Sequence, residues 1–261
     1  MKFVEGYGAL LLEKPIKTVA VADLHLGFEE ELRSKGIKVP LQSPKIIDEL
    51  LDLISRTQAK KLVVVGDLKH AVPGPSLLEF EIIPKLLKPL KTVVDEIVVV
   101  PGNHDGKIGK VLQGIAEVKP AKGFIVEEER IAFTHGHVKP DKSILSMDVV
   151  VMGHLHPVLK IGTGVTAARL GVWLKLKGNR RKAAEALYGR EAANLEGEIT
   201  LLIMPSFNKI LQGRSVTELS ESAIVRGPLL RTKAFNLSEA EIFGIDGTYL
   251  GTLKELRDAL P

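Results

Sequence analysis

"VVVPGNHDG", residues 98–106, decides how this chain is read. A run of β-branched apolar residues stops at Pro101. The chain then presents an amide, an imidazole and a carboxylate in succession, at Asn103, His104 and Asp105. Short β-branched runs bounded by turn residues are buried strands. A buried strand that ends by offering three polar side chains raises the question of what they serve.

The same pattern recurs along the chain. "VAVADLHLG" (19–27) ends in Asp23 and His25, and "LVVVGDLKH" (62–70) in Asp67 and His70. "IAFTHGHVK" (131–139) ends in His135 and His137, and "VVVMGHLHP" (149–157) in His154 and His156. The chain has seven histidines, and every one falls at the carboxyl end of an apolar segment. In open α/β sheets that edge is where ligands bind. A lone Asp-x-His carries almost no information, and Gly-Asp after a strand is commonly a turn. The conjunction carries the argument.

Apolar runs place strands at Thr18–Ala22, Lys61–Val65, Glu96–Val100, Arg130–Thr134, Val149–Met152 and Thr200–Met204. Helical periodicity over Lys45–Arg56 puts Ile46, Ile47, Leu50, Leu51 and Ile54 on one face. A weaker helix over Phe80–Leu90 is interrupted by Pro84 and Pro89. Strand and helix alternate in the first half, the signature of a parallel βαβ sheet. The second half is richer in strands, which are expected to pair antiparallel. One domain over 1–261 is the economical reading, with a basic insertion around 169–198 that includes a short helix at Arg181–Tyr188.

The chain has 261 residues, 45% of them hydrophobic, enough for a large α/β core. No cysteine is present, which excludes disulfides, thiolate metal sites and cysteine nucleophiles. No apolar run approaches the length of a membrane span, and the first residues lack a signal-peptide core. A soluble cytoplasmic protein with no membrane partner is expected. Scarce Gln and Asn beside 26% charged residues lean toward a heat-adapted source.

Imidazole, carboxylate and amide donors without thiolate suit Mn²⁺, with Fe, Zn²⁺ or Ni²⁺ as alternatives. The donors exceed the needs of one ion. Two divalent ions about 3.5–4 Å apart, sharing a bridging carboxylate, clamp both oxygens of an in-line phosphoryl displacement. Alternating pairs such as Asp23/His25 and His154/His156 would project to one side of an extended segment. Gly66, Gly102, Gly136 and Gly153 would allow close backbone approach at the site, or serve as ordinary turn glycines.

In order along the chain, "DLH" (23–25), "GD" (66–67), "GNHD" (102–105), "HGH" (135–137) and "GHLH" (153–156) resemble the motifs of calcineurin-like metallophosphoesterases. The resemblance implies an α/β fold, a four-layer αββα sandwich of two mixed β-sheets flanked by helices, carrying a dinuclear metal site. It implies Asp23, His25 and His156 at the first ion, Asp67 bridging, and Asn103, His135 and His154 at the second. His104 would serve the phosphate or leaving group as general acid, and Asp105 would orient His104. A water activated between the ions would be the nucleophile. His137 is the alternative ligand to His135, or lines the substrate pocket. His70 either contacts substrate or caps its turn.

"LIMPSFNKILQG" (202–213), together with Pro157 after "GHLH" and "VWLK" (172–175), resembles the SbcD-related archaeal and DNA ligase-associated branch of that superfamily. That branch implies a nuclease and DNA-processing partners such as helicases. Residues 169–190 carry seven basic side chains against Glu185 alone, in a chain of net charge +4. Such a segment can neutralise a nucleic-acid backbone or dock an acidic protein patch. Arg180, Arg181 and Lys182 are its expected substrate contacts. Trp173 and Tyr188 within it would stack on bases, or Trp173 packs in a strand. The favoured function is a metal-dependent phosphodiesterase acting on nucleic acid. The alternatives are a phosphatase or small-molecule (nucleotide) phosphodiesterase, and a non-catalytic subunit of a helicase-containing complex. About 57 residues follow the strand at Thr200–Met204, fewer than a separate domain of usual size. Either the substrate is then a single strand or a short end, or a partner supplies the duplex handling; a homodimer is a further expectation.

Overall fold

The valine-rich runs at Thr18–Ala22, Lys61–Val65 and Glu96–Val100 are strands with those bounds. They lie in a six-stranded sheet, ordered β1 (Lys2–Val4), β2 (Ala9–Leu12), β3 (Thr18–Ala22), β4 (Lys61–Val65), β5 (Glu96–Val100) and β6 (Glu117–Val118). From β3 to β6 the pairing is parallel, and β1 and β2 add an antiparallel margin. Successive side chains point to opposite faces. Val19, Val21, Leu62, Val64 and Val99 face one core, and Ala20, Ala22, Val63, Val65, Val98 and Val100 face another. Both faces are covered, so these strands read as unbroken apolar runs.

The structure is a computed structural model and describes residues 1–70, 77–162, 167–190, 194–211, 213–218, 220 and 224–259. Its second sheet contains β7 (Phe124–Val126), β8 (Ile131–Thr134), β9 (Val149–Met152), β10 (Val158–Ile161), β11 (Ala168–Asn179), β12 (Glu198–Ile203), β13 (Glu241–Gly244) and β14 (Tyr249–Thr252). The order is β14-β13-β11-β12-β9-β8-β7, with β10 also on β11. Here β8, β9 and β12 run parallel and the other pairings are antiparallel. Arg130 falls outside β8 because its φ of +53° closes the preceding turn.

Between the sheets, Leu10, Ala20, Val63 and Val98 meet Phe133, Val151, Trp173 and Leu202. Helices cover the outer faces. On the first sheet lie α2 (Ser43–Thr57), α3 (Leu77–Leu87) and the short α4 (Ile108–Val111), and α1 (Phe28–Ser34) precedes α2 in the chain. On the second lie α5 (Arg180–Tyr188), α6 (Pro228–Arg231) and α7 (Leu253–Ala259). Three separate cores make four layers, the mixed two-sheet α/β sandwich expected. In α2 the buried face carries Leu53 where Leu51 was expected, and Leu51 is only partly covered. Each leucine or isoleucine buried there contributes roughly 1.5–3 kcal/mol. α3 ends at Leu87, ahead of Pro89, three residues before the periodicity suggests.

The basic segment is built into the second sheet. Its first part is β11, hydrogen-bonded on one side to β12 and on the other to β13. Asn179 caps α5 by accepting from the Lys182 N–H at 2.8 Å, and α5 buries Ala183 and Ala184. Residues 191–193 of the segment lie outside the described residues. No helix among the described residues is long and apolar enough to cross a membrane.

Candidate active site

Strands β3, β4, β8 and β9 end at Ala22, Val65, Thr134 and Met152, and the next residues bring the two sheets together. His135 of the second sheet donates from Nε2 to Asp23 Oδ1 of the first at 3.0 Å. Its Nε2 also lies 3.4 Å from Asp67 Oδ2. His156 Nε2 is 3.4 Å from Asp23 Oδ1 and 3.4 Å from His25 Nε2. Asp67 Oδ2 in turn lies 3.8 Å from His25 Nε2. The main chain repeats this convergence, since the His154 N–H donates to Asp23 Oδ2 at 3.0 Å.

These side chains do not project from extended backbone, as the alternation of Asp23/His25 and His154/His156 suggested. Asp23, His25, Asp67, His154 and His156 all have left-handed φ, from +45° to +73°. Left-handed backbone is costly for side chains other than glycine, by about 1–3 kcal/mol each, and concentrates at functional sites. Small neighbours make the approach feasible. A Cβ on Gly66 would sit 2.1 Å from His135 Cδ2, and one on Gly102 would sit 2.1 Å from Asp67 Oδ1.

Burial sets the electrostatics. It would raise the Asp23 carboxyl, but His156 and His135 outweigh it and hold that group far below the usual carboxylate range. Burial raises the Asp67 carboxyl, against the pull of His135. The imidazole of His25 is pushed down to about 3 by burial, and that of His154 to about 4 by burial and the charge of His135. Burial alone would lower His135 and His156, yet Asp23 lifts both. Asp23 thus favours positive charge on His135 and His156, while burial holds His25 and His154 neutral.

Among the described residues three groups could hold a metal ion, Asp23–His25–His156, Asp23–Asp67–His135 and His25–His70–His104, with the donor atoms of each within 4.8 Å of one another. The first two share Asp23 and contain its carboxylate. The donor chemistry fits a divalent cation. His156 Nδ1 donates to the Leu211 carbonyl at 2.8 Å, which leaves the Nε2 lone pair facing His25 and Asp23. Opposed lone pairs and carboxylates repel unless a cation or proton lies among them. Asp23 belongs to the two carboxylate-bearing groups, and Asp67 reaches a histidine of each. The ring of His154 packs edge-on against His135 at 4.8 Å, while its main chain holds Asp23. Asn103 is exposed, and its side chain makes no hydrogen bond to a described residue. His137 stands one step out, with Nδ1 3.0 Å from His135 Nδ1 and its imidazole pushed to about 4 by burial.

His104 lies beside this cluster, edge-on to His25 at 4.8 Å. Its N–H donates to Asp67 Oδ1 at 2.8 Å, and its ring Nδ1 donates to the His70 carbonyl. Asp105 does not orient His104, contrary to expectation. Its carboxylate turns inward and accepts from Gly102, Lys69 and Leu68 N–H groups at 2.9, 3.1 and 3.2 Å. It ties the loop after β5 to the loop after β4. His70 joins the cluster, with Nδ1 3.4 Å from His25 Nδ1 and Nε2 2.8 Å from Glu31 Oε2.

The basic trio belongs elsewhere. Arg180 donates to the Met147 and Glu198 carbonyls at 3.1 and 2.9 Å, at the amino ends of β9 and β12. The histidines lie beyond the carboxyl end of the four-residue β9, so roughly 13 Å of strand intervenes. Arg181 pairs with Glu185 at 3.0 Å, and Lys182 follows on the same helix. The trio therefore stands at the sheet edge opposite the histidines. Trp173 is fully buried between the sheets against Phe3 and presents no face to a base. Tyr188 donates to the Pro140 carbonyl, with Lys139 over its ring.

Several supporting residues escaped the sequence reading. Glu31 braces His70, and the Leu211 carbonyl orients His156. In "PSFN", Ser206 donates to the Asp23 carbonyl at 2.9 Å, the Phe207 N–H to Ala22 at 2.9 Å, and Asn208 to the Leu24 carbonyl at 3.1 Å. This segment clamps the loop that carries Asp23 and His25. The signal was its buried aromatic beside turn-forming residues.

Fold and donor set together define a hydrolase-type metal centre at the shared carboxyl edge of a two-sheet α/β sandwich. The chain belongs to the calcineurin-like phosphoesterase superfamily, whose domain matches residues 16–173. Phosphodiesterase YfcE of Escherichia coli is 28% identical over 112 residues, 42% of this chain and 61% of that protein's length. Among solved structures, the Pseudomonas putida nuclease MPE superposes with a TM-score of 0.51. The match covers 93% of this chain and all of that one at 17% identity, a likeness of fold.

Proposed function

We propose that this chain is a metal-dependent phosphodiesterase, with two divalent ions held by Asp23, His25, His156, Asp67 and His135, and with nucleic acid as substrate. The observation that carries the reading is the pair of donor groups sharing Asp23, with His104 alongside. Mn²⁺ is the proposed metal for this nitrogen and oxygen donor set. Such ions supply positive charge against the phosphoryl oxygens and lower the pKa of water. The protein's own groups do the rest. Asp67 holds the main chain of His104, and the His70 carbonyl takes the Nδ1 proton. Nε2 is then the atom that carries the mobile proton. It delivers that proton to the leaving oxygen as the P–O bond to it breaks and the bond to the water oxygen forms. His137 and the ring of His154 complete the wall around His135.

Nucleic acid as substrate is supported by the resemblance of "PSFN" and "GHLHP" to the DNA-processing branch. It is also consistent with a fold neighbour that is a nuclease. The basic trio lends it no support. The test is Mn²⁺-dependent cleavage of end-labelled single-stranded DNA and RNA, and of bis-p-nitrophenyl phosphate. Wild type is expected to cleave, chelation to abolish cleavage, and Asp67→Asn to lose roughly 100-fold or more. Cleavage of the small diester alone would move the substrate to small phosphoesters. Cleavage untouched by Asp67→Asn would refute the site.

A further inference from the structure

Two exposed cations stand beside His137, and the mechanism uses neither. Lys139 follows His137 by two residues, and its ammonium lies 4.2 Å from the centre of the Tyr188 ring. Tyr188 in turn donates to the Pro140 carbonyl, which fixes this loop against the end of α5. Arg226 arrives from far along the chain. Its neighbour Gly227 packs on Gly136, the residue between His135 and His137. A Cβ on Gly227 would sit 2.0 Å from the Gly136 carbonyl oxygen, and its φ of +81° also calls for glycine. Val225, on the other side, packs against the core of the second sheet. The main chain thus anchors Arg226 beside the loop that carries His135 and His137, and Arg226 itself is exposed.

Neither cation forms an ion pair among the described residues. Asp141, two residues past Lys139, is taken up by Ser143, accepting from its N–H at 3.0 Å and its hydroxyl at 2.7 Å. The amino edge of the sheet differs, since Arg130, Lys177 and Arg181 there meet Asp148, Glu198 and Glu185. The opposite flank of the cluster differs too. There α1 carries Glu30 and Glu31, and Glu31 holds His70. An anionic strand is repelled by the α1 flank and attracted by the His137 flank. Unpaired guanidinium and ammonium groups can meet its phosphates without giving up an existing partner.

We propose, on the nucleic-acid reading of the substrate, that Lys139 and Arg226 form a cationic rim for the phosphates that flank the reacting one. The rim leads a single strand away from the cluster past His137, on the side of the second sheet. The strand then has one favoured side of the site, set by side chains that hold no metal and take no part in proton transfer. Contacts of this kind release counterions, so their contribution falls as salt rises.

The test is fluorescence anisotropy of a labelled oligothymidylate added to the Mn²⁺-loaded full chain at a series of salt concentrations. Phosphorothioate linkages keep its charge and resist cleavage. Lys139→Gln and Arg226→Gln each remove one exposed charge from the rim, and Arg181→Gln removes one from the opposite edge. Thermal melts confirm that all three are folded. Wild type is expected to bind saturably. Each rim variant should weaken binding about threefold or more and reduce the salt slope by about 0.7, the value of one phosphate contact on a single strand. Arg181→Gln should match wild type. Affinity and slope unchanged in either rim variant, or reduced equally in all three, would overturn the rim and leave the nucleic-acid reading standing. Tighter binding of polyglutamate of equal charge would also overturn it, in favour of an acidic protein partner. So would absence of saturable binding by wild type. Cleavage of unmodified DNA and RNA, read separately, then judges the nucleic-acid reading by itself.

Discussion

The two ends of the parallel strands handle charge in opposite ways. At the carboxyl edge Asp23, His25, Asp67 and His135 are buried, lie on strained or glycine-flanked backbone, and face one another. At the amino edge Arg130, Asp148, Arg181, Lys177 and Glu198 are exposed, Glu185 is half-buried, and all are satisfied by neighbours. Arg130 holds Asp148 through two nitrogens at 2.8 and 3.0 Å, and Lys177 meets Glu198 at 3.1 Å. The first arrangement is unfavourable without a bound cation, and the second is complete in itself. Position in the sheet, rather than density of charge along the chain, separates a site from a surface.

The comparison breaks first if His104 proves dispensable. His104→Ala is expected to lower kcat about 10²- to 10⁴-fold on diesters with alkoxide leaving groups. The loss should be much smaller with nitrophenolate, which needs no proton to depart. Equal losses with both leaving groups, measured across an ester series, would remove the proton-donor role.

Asp105 sharpens the contrast between a charge that reacts and one that holds. Asp105→Ala leaves three buried N–H groups without their acceptor. It should destabilise the fold by about 3 kcal/mol, read from urea unfolding. A stable variant with an unaltered fold would show that the two loops hold themselves together.

At the amino edge the expected effects are smallest. Arg181→Ala and Lys182→Ala should each change stability by less than about 0.5 kcal/mol, because exposed pairs contribute little. Phosphodiester hydrolysis and any salt dependence of it should also be unchanged. A reduced salt slope in either variant would restore this edge as a nucleic-acid contact.

Much of the fold was legible because its central strands are buried on both faces. Thr18–Ala22, Lys61–Val65 and Glu96–Val100 are short, apolar and β-branched, and nothing in tertiary structure competes with that signal. Helix α2 was legible as a helix, but not in which of Leu51 and Leu53 it buries, because that depends on what packs against its flank. The convergence of histidines was legible because every histidine follows an apolar run. The backbone that makes them converge was not, since left-handed φ at Asp23 or His154 leaves no mark in composition.

Direction was the other hidden variable. Asp105 follows His104 in the chain, yet its partners come from the loop after β4. Arg180–Lys182 follow a strand, as the histidines do. But β11 runs antiparallel to β12 and delivers them to the opposite edge. Only the strand order reveals that, and strand order is a long-range property.

The most direct test of the account is the metal content of the purified chain after Mn²⁺ loading and removal of excess, by inductively coupled plasma mass spectrometry. Two ions per chain are predicted for wild type and fewer than two for Asp67→Asn. One ion or none in folded wild type, or two retained by the variant, would contradict a two-ion centre built on these carboxylates.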